Sequence, residues 1–308
     1  MDRFEAMSIL LAVVEGGSLS AAGRALRIPV PTVSRKLTDL EVLLGTRLLI
    51  RSTRKLTLTD AGVAYVAAAR RILEQLDDAE REAAGEFTTP KGELVITAPL
   101  MFGRLHVLPV VADFLASFPD IDVRLSLSDR NLHLIDDHVD MAVRIGRLPD
   151  SGLMATNVGA MPMVVCATPS LLAGHGTPTS PDELDRLPCV SMNTQTIKTA
   201  WQFKVRGEKH PFEQAVSPRL IVSSAEAAAD AARCDVGATQ LLRYQVADSL
   251  DAGILQVILA DFEIDPLPVN LVHAGRGQLP LKMRRFLDFA APRLRQVLAQ
   301  FRENGPYM

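Results

Sequence analysis

Thr32, Ser34, Arg35 and Lys36 place two hydroxyls and two cations within five residues. Grouped at the start of a helix, such side chains suit the phosphate oxygens and base edges of a nucleic-acid duplex. Arg35 carries the planar fork that matches the two acceptors of a guanine edge. Ser20, Arg51, Ser52, Thr53 and Arg54 add hydroxyls and cations suited to phosphates or a minor groove. Between Ser20 and Lys55 eight cations stand against two anions, although the 308-residue chain carries a net charge of -3. That local imbalance points to a polyanionic partner.

The elements around these residues follow from spacing. Phe4, Met7, Leu11 and Val14 predict one helix stripe, ended by Gly16-Gly17. Ser18 caps a second helix with Leu19, Ala22 and Leu26 inward. Arg27-Ile28-Pro29 is a turn, and Pro31 suits a first helical position because its missing N–H has no partner to lose. Val33, Leu37, Leu40 and Leu44 predict the buried face of a third helix, stopped by Gly45. This is a helix-turn-helix, with Val30, Pro31 and Thr32 at the exposed leading edge of its second helix. Thr46 to Thr59 reads as a two-stranded wing tipped by Arg51-Ser52-Thr53-Arg54-Lys55. A long helix from about Asp60 to Gly85 follows, with a narrow seam of Val66, Ala69, Leu73, Leu76, Ala79 and Ala83. A second copy of the chain is the simplest partner for such a seam.

Beyond a hinge at 85–92 the pattern changes. Strands at 93–98, 123–128 and 141–145 alternate with helices at about 102–118 and 132–138, which implies a parallel, helix-covered sheet. A second such unit uses 163–167, 221–224, 225–234 and 238–242. A late strand spans 268–273. A final helix at about 281–301 turns Phe286, Phe289, Leu294, Val297 and Phe301 inward. Ligands of open α/β sheets sit beyond the carboxyl ends of strands. That rule selects Pro99, Leu100, Met101, Phe102, Ser128, Asp129, Gly146, Arg147, Cys166, Ser223 and Ser224.

In that order, Leu19-Ser-Ala-Ala, Val33-Ser-Arg-Lys, Leu40-Glu, Leu44-Gly-Thr-Arg-Leu-Leu, Arg51-Ser-Thr-Arg and Leu58-Thr-Asp-Ala-Gly62 resemble the LysR-type transcriptional regulators. Asp140-Met-Ala-Val-Arg-Ile-Gly146 and Ala167-Thr-Pro-Ser170 resemble that family's effector domain. The resemblance covers nearly the whole chain. It implies an α+β multidomain protein: a winged helix-turn-helix over 1–60, a dimerising linker helix and hinge over 61–91, and an α/β effector domain of periplasmic-binding type over 92–308. Within the last, subdomain I takes about 92–162 and 268–301, and subdomain II about 163–267. The resemblance also implies a dimer of dimers. Similar proteins usually begin the recognition helix with a Ser-Gln-Ser-like run, and here Pro29-Val30-Pro31 stands instead. Readout therefore falls to Thr32 and Arg35, with Val30 against a thymine methyl and DNA shape supplying the rest. Similar proteins also often place hydroxyls after the first strand of the effector domain to hold a carboxylate. Here Pro99, Leu100, Met101 and Phe102 lean toward an apolar or aromatic ligand, with Ser223, Ser224 and Arg147 for its polar end.

Other function classes find less support. No G-x-S-x-G, P-loop, strand-following G-x-G-x-x-G or H-E-x-x-H occurs, so an enzyme is not the expectation, nor is a cofactor. Asp136-Asp137 lie on a predicted helix whose neighbouring side chains point apart. A solute-binding transport protein would share the cleft but not the basic N-terminal segment. Met1-Asp-Arg-Phe-Glu5 lacks the form of a secretory signal, and no run reads as a membrane span, so a cytoplasmic location is expected. Cys166, Cys189 and Cys234 are far apart and read as buried, inert thiols. Cys234 precedes Asp235, whose charge would raise a nearby thiol pKa. The six histidines show no metal-ligand spacing, and Trp201 reads as core. The expected partners are double-stranded promoter DNA, a small-molecule effector, further copies of the chain and RNA polymerase, with no membrane.

Overall fold

The computed structural model describes residues 2–51, 56–83, 89–130, 134, 137, 139–148, 152–192, 200–205, 207–208, 210–274 and 279–303. The chain divides into two compact units, Met1–Thr89 and Pro90–Met308.

The first unit contains α1 (Arg3–Gly16), α2 (Leu19–Leu26), α3 (Val30–Leu44), the strands β1 (Leu49–Arg51) and β2 (Leu56–Leu58), and α4 (Asp60–Ala83). Its boundaries have local causes. Asp2 caps α1 through the Phe4 N–H at 2.9 Å, and Gly17 ends it in the left-handed region at φ 65°. Ser18 caps α2 through the Ala21 N–H at 3.1 Å. Pro29 offers no side-chain cap, and α3 begins at Val30, so Pro31 is its second residue rather than its first. β1 and β2 pair antiparallel from Leu49–Leu58 to Arg51–Leu56. Gly62 is needed where α4 meets the wing, because a Cβ there would lie 2.0 Å from the Leu48 carbonyl oxygen.

The core of this unit joins Ile9, Leu10, Val13, Ala22, Val33, Leu37, Leu40, Leu48 and Val66. The α1 stripe differs from expectation. Met7 is buried as expected, but Phe4 is 45% exposed, Leu11 and Val14 are only half-buried, and Ala6, Ile9, Leu10 and Val13 complete the buried face. α1 is apolar around most of its circumference, so spacing alone fits two faces. Packing against α2, α3 and α4 selects one of them. Leu26 and Leu44 are also exposed rather than inward, since each ends its helix beyond the reach of the core. Ala79 and Ala83 of the seam, like Ser52–Lys55 of the wing, have side chains outside the described set.

The second unit holds two five-stranded sheets. The first has the order β4-β3-β5-β14-β6, built from β3 (Gly92–Ala98), β4 (Ile121–Leu127), β5 (Met141–Ile145), β6 (Met154–Met161) and β14 (Leu267–His273). The second has the order β11-β8-β12-β7-β13, from β7 (Met163–Ala167), β8 (Cys189–Met192), β11 (Pro218–Val222), β12 (Ala238–Leu242) and β13 (Gln256–Ile258). A separate antiparallel pair, β9 (Ala200–Phe203) and β10 (Phe212–Ala215), lies between them in sequence. The parallel expectation is corrected to a mixed one. β3 runs parallel to β4 and β5, but β14 is antiparallel to β5 and β6. β8 is parallel to β11 and β12, but β7 is antiparallel to β12 and β13. The chain leaves the first sheet after β6, builds the second, and returns through β14, so the returning strand runs opposite to its neighbours.

A continuous helical segment, α5 (Leu100–Phe102), a π-helical turn (Gly103–Val107) and α6 (Leu108–Ser117), covers the first sheet with α10 (Leu281–Glu303). Phe102, Val107, Val111, Phe114, Phe286, Leu294 and Leu298 interlock with Leu94, Ile96 and Val269. The segment 100–117 is long and apolar enough to cross a membrane, contrary to the sequence reading, but its inner face is packed in this core. The second sheet carries α7 (Pro169–His175), α8 (Ala225–Arg233) and α9 (Arg243–Asp251). Ala225, Ala228, Ala229 and Ala232 are buried, and such small side chains let α8 lie close against β7, β8 and β12. The expected helix at 132–138 falls mostly outside the described residues, and Leu134 and Asp137 lie in turns.

Candidate functional site

At the leading edge of α3 the backbone follows directly from the sequence. Gly23 lets α2 meet the turn, since a Cβ there would stand 2.9 Å from the Ile28 carbonyl oxygen. Arg27 takes the left-handed conformation at φ 56° and turns the chain. Val33, Leu37 and Leu40 bury the rear of α3, which leaves the opposite face outward. Val30 is 39% exposed at the tip. Ser20, Pro31 and Arg35 are exposed, while Thr32 and Ser34 are half-buried. Lys36 differs from its neighbours: its ammonium is ion-paired with Glu5 of α1. Arg51 ends β1, and its side chain is outside the described set, as are Ser52, Thr53 and Arg54.

Two residues that spacing did not single out position the wing. Glu41 Oε1 accepts the Leu48 and Leu49 N–H groups at 2.8 and 3.0 Å, tying β1 to α3. Thr59 caps α4 through the Gly62 N–H and donates its hydroxyl to the Arg47 carbonyl at 2.7 Å.

In the second unit the strand-end residues occupy distinct environments. Leu100 is 40% exposed, Met101 is half-buried and Phe102 is fully buried in the first core. The Leu100 N–H donates to Asp129 Oδ1 at 3.0 Å. The start of this helix therefore already faces a carboxylate, which disfavours a ligand carboxylate at the same place. Ser128 is half-buried, with its Oγ accepting the Arg130 N–H at 3.1 Å. Arg147 and Ser223 are exposed. Ser224 caps α8 through the Ala227 N–H at 3.3 Å. Cys166 is a buried thiol as expected, packed among Val164, Ala228 and Leu241, and for that reason its selection as an effector residue fails: it has no surface to offer a ligand. Burial pushes the Cys166 and Cys189 thiols up to about 12. Cys234, expected to be buried, is exposed at the end of α8, while Asp235 takes a hydrogen bond from the Thr168 hydroxyl. Trp201 is buried, and its Nε1 donates to Ser191 Oγ at 3.3 Å. Among the described residues no three His, Cys, Asp or Glu side chains are grouped to hold a metal ion.

Tyr244 of α9 crosses from the second sheet into the core of the first. Its ring meets Phe102 edge-on at 5.3 Å, and His106 packs between Phe102, Tyr244 and Phe301 at 5.0, 5.6 and 5.7 Å. Burial raises the Tyr244 pKa and lowers that of His106. No spacing rule marks Tyr244, because its partners come from helices more than a hundred residues away. Beside this cluster opens a cavity of about 520 Å³, on whose wall Met101 is the one expected effector residue.

The arrangement compares closely with known proteins. A family model described as the bacterial regulatory helix-turn-helix protein, lysR family, matches residues 4–63, and the LysR substrate binding domain matches residues 88–295. The chain is 33% identical over 292 residues to the HTH-type transcriptional regulator CrgA of Neisseria meningitidis serogroup B, covering 94% of this chain and 96% of that one. It is 33% identical over 290 residues to an HTH-type transcriptional regulator of Xanthomonas campestris pv. campestris, covering 93% and 84%. The solved structure of CrgA superposes with a TM-score of 0.59 at 32% identity, covering 94% and 98% of the two chains. Full-length AphB, a Vibrio cholerae virulence activator, gives 0.58 at 26%, covering 94% and 99%.

Proposed function

This chain belongs to the LysR-type transcriptional regulators, and we propose that it reads its operator through the leading edge of α3. It is a regulator with a helix-turn-helix for DNA and a substrate-binding domain for an effector. The observation that carries the proposal is the outward start of α3, with Val30 and Arg35 exposed and Val33, Leu37 and Leu40 fixed behind them. Arg35 takes a guanine edge, Val30 a thymine methyl and Thr32 a neighbouring base or phosphate. Ser20, Pro31, Ser34 and Lys36 flank this contact, and Arg51, Ser52, Thr53 and Arg54 reach phosphates or the minor groove.

Residues 1–60 form the DNA-binding part, and 61–91 the linker; Val66 and Ala69 of its seam are buried within the unit itself, which leaves Leu73 and Leu76 to pair with a second copy. Two copies then set recognition helices on half-sites about 34 Å apart or a multiple, and two such dimers associate on the promoter beside RNA polymerase. The effector lies at the strand ends of 92–308, against Leu100 and Met101, with Ser128, Ser223, Ser224 and Arg147 at its polar end, while Phe102, fully buried behind them, has no surface to meet it. The Asp129 carboxylate beside Leu100 supports an apolar or aromatic effector over a simple acid. The protein acts in the cytoplasm and has no catalytic role.

A gel shift on the DNA upstream of its own gene tests the reading. Wild type is expected to prefer that DNA over random sequence, and Arg35→Ala to bind it more weakly. A wild type with no preference for any genomic fragment overturns it.

A further inference from the structure

Three helical segments converge on the cavity of about 520 Å³, with Met101 and Arg243 just beyond the carboxyl ends of β3 and β12 and the rest of the wall along the helices. Met101, Arg104 and Leu105 recur at helical spacing on the segment 100–117. Glu226, Asp230 and Arg233 do so on α8. Both rows face α9, which contributes Arg243, Asp248 and Asp251 to the wall. Two of the three cations are engaged. Arg104 Nη2 lies 2.8 Å from Glu226 Oε1, and Arg233 pairs with Asp230 and donates to Ser249 Oγ at 2.9 Å. Among the described residues the Asp248 and Asp251 carboxylates make no hydrogen bond or ion pair, and the Arg243 guanidinium makes none either, its one charged neighbour being the Glu263 carboxyl, which burial holds largely protonated below about pH 7. His106, also on the wall, has a buried Nε2 without a hydrogen-bond partner among the described residues. Met101, Leu105 and Phe301 supply apolar surface between these groups.

We propose that this cavity is a second ligand site, which takes a small zwitterion of the amino-acid type. Its carboxylate meets Arg243, its cationic group meets Asp248 or Asp251, and its chain lies over Leu105 and Phe301. A rise of about 1.5 Å per residue sets Asp248 about 7.5 Å and Asp251 about 12 Å along α9 from Arg243. The two charges of the ligand are therefore separated by several methylenes rather than adjacent. A ligand of one sign would satisfy one end and face like charge or nothing at the other. The bound molecule touches the segment 100–117 over the first sheet and α8 and α9 over the second. Arg104–Glu226 bridges the same gap, so binding favours the arrangement of the two halves in which that bridge is made.

Calorimetric titration of the full chain with 6-aminohexanoate tests this, with hexanoate and hexylamine as single-charge analogues. The zwitterion is expected to saturate one site and to bind about tenfold more tightly than either analogue, the value of one charge-assisted hydrogen bond. Arg243→Gln is expected to reduce it to the level of hexylamine, and Asp248→Asn with Asp251→Asn to that of hexanoate. Arg147→Gln, at the strand ends, is expected to leave it unchanged, which separates this site from the effector cleft proposed above. Absence of saturable binding, equal binding of all three probes, or loss with Arg147→Gln but not with Arg243→Gln overturns the proposal. The three-probe comparison on wild type stands even if a variant fails to fold.

Discussion

The Glu41 carboxylate accepts the Leu48 N–H at 2.8 Å, and the same oxygen takes the next amide, that of Leu49, at 3.0 Å. One side chain on the recognition helix thus holds the first strand of the wing. Hydrogen bonds to a charged acceptor contribute about 1.5–3 kcal/mol when the donors would otherwise lack a partner. Glu41→Leu is expected to cost about 2–3 kcal/mol in the N-terminal unit, and Glu41→Gln, which keeps an acceptor, about 1 kcal/mol. Hydrogen exchange read at the Leu48 and Leu49 amides checks this: protection should fall in the order wild type, Gln, Leu. Equal exchange in all three would show that the wing is held elsewhere.

Arg35 and Lys36 are adjacent cations with different surroundings. Arg35 is exposed, whereas Lys36 is ion-paired with Glu5. Arg35→Ala is expected to cost about 1–3 kcal/mol on the cognate operator and to relax preference at one base pair. Lys36→Ala is expected to weaken binding less, because its charge is already partly neutralised. Binding isotherms at several salt concentrations make the comparison. A larger loss for Lys36→Ala than for Arg35→Ala would mean that Lys36 leaves Glu5 when DNA arrives.

Which features could be read from the sequence depends on how local their causes are. Ser18, Gly17 and Gly45 act on their own helix ends, so the limits of α1, α2 and α3 could be placed to within a residue or so. Val33, Leu37 and Leu40 lie on a helix with a polar opposite face, so spacing identified the inner side. α1 has no such contrast, and its neighbours chose Ile9, Leu10 and Val13 instead. The antiparallel course of β14 depends on where the chain goes between 163 and 267, which no local pattern encodes. Cys166 follows the strand-end rule in sequence, yet its side chain points to the α8 side of the sheet. Tyr244 and the Arg104–Glu226 bridge join residues far apart in the chain, and only the folded arrangement reveals them.

Arg27 holds a left-handed conformation, φ 56°, in the turn of the helix-turn-helix. For a side-chain-bearing residue this costs roughly 1–2 kcal/mol relative to glycine, while glycine adds back about 0.5–1 kcal/mol of unfolded-chain entropy. Arg27→Gly is therefore expected to stabilise the N-terminal unit by about 0.5–1 kcal/mol. Arg27 is exposed, so little packing is lost. Thermal melts at fixed protein concentration read the effect, and a lower melting temperature would show that the guanidinium contributes more than the backbone strain removes.

Glu263 gives a dependence on pH. Its Oε1 is buried without a hydrogen-bond partner among the described residues, and burial raises its pKa to about 7 despite the opposing charge of Arg243. The unfolded chain releases this proton near the ordinary carboxylate value, and the folded chain releases it only near neutrality. The folded state therefore binds more protons between those limits, and stability falls as pH rises through them. Below the unfolded pKa both states are protonated and the penalty is absent; above about pH 7 it is complete. Glu263→Gln keeps the shape and cannot ionise. Its melting temperature is expected to match wild type near pH 4 and to exceed it by a margin that grows toward pH 7 and then levels off. A margin independent of pH across that range would mean that Glu263 ionises in the fold as it does in water.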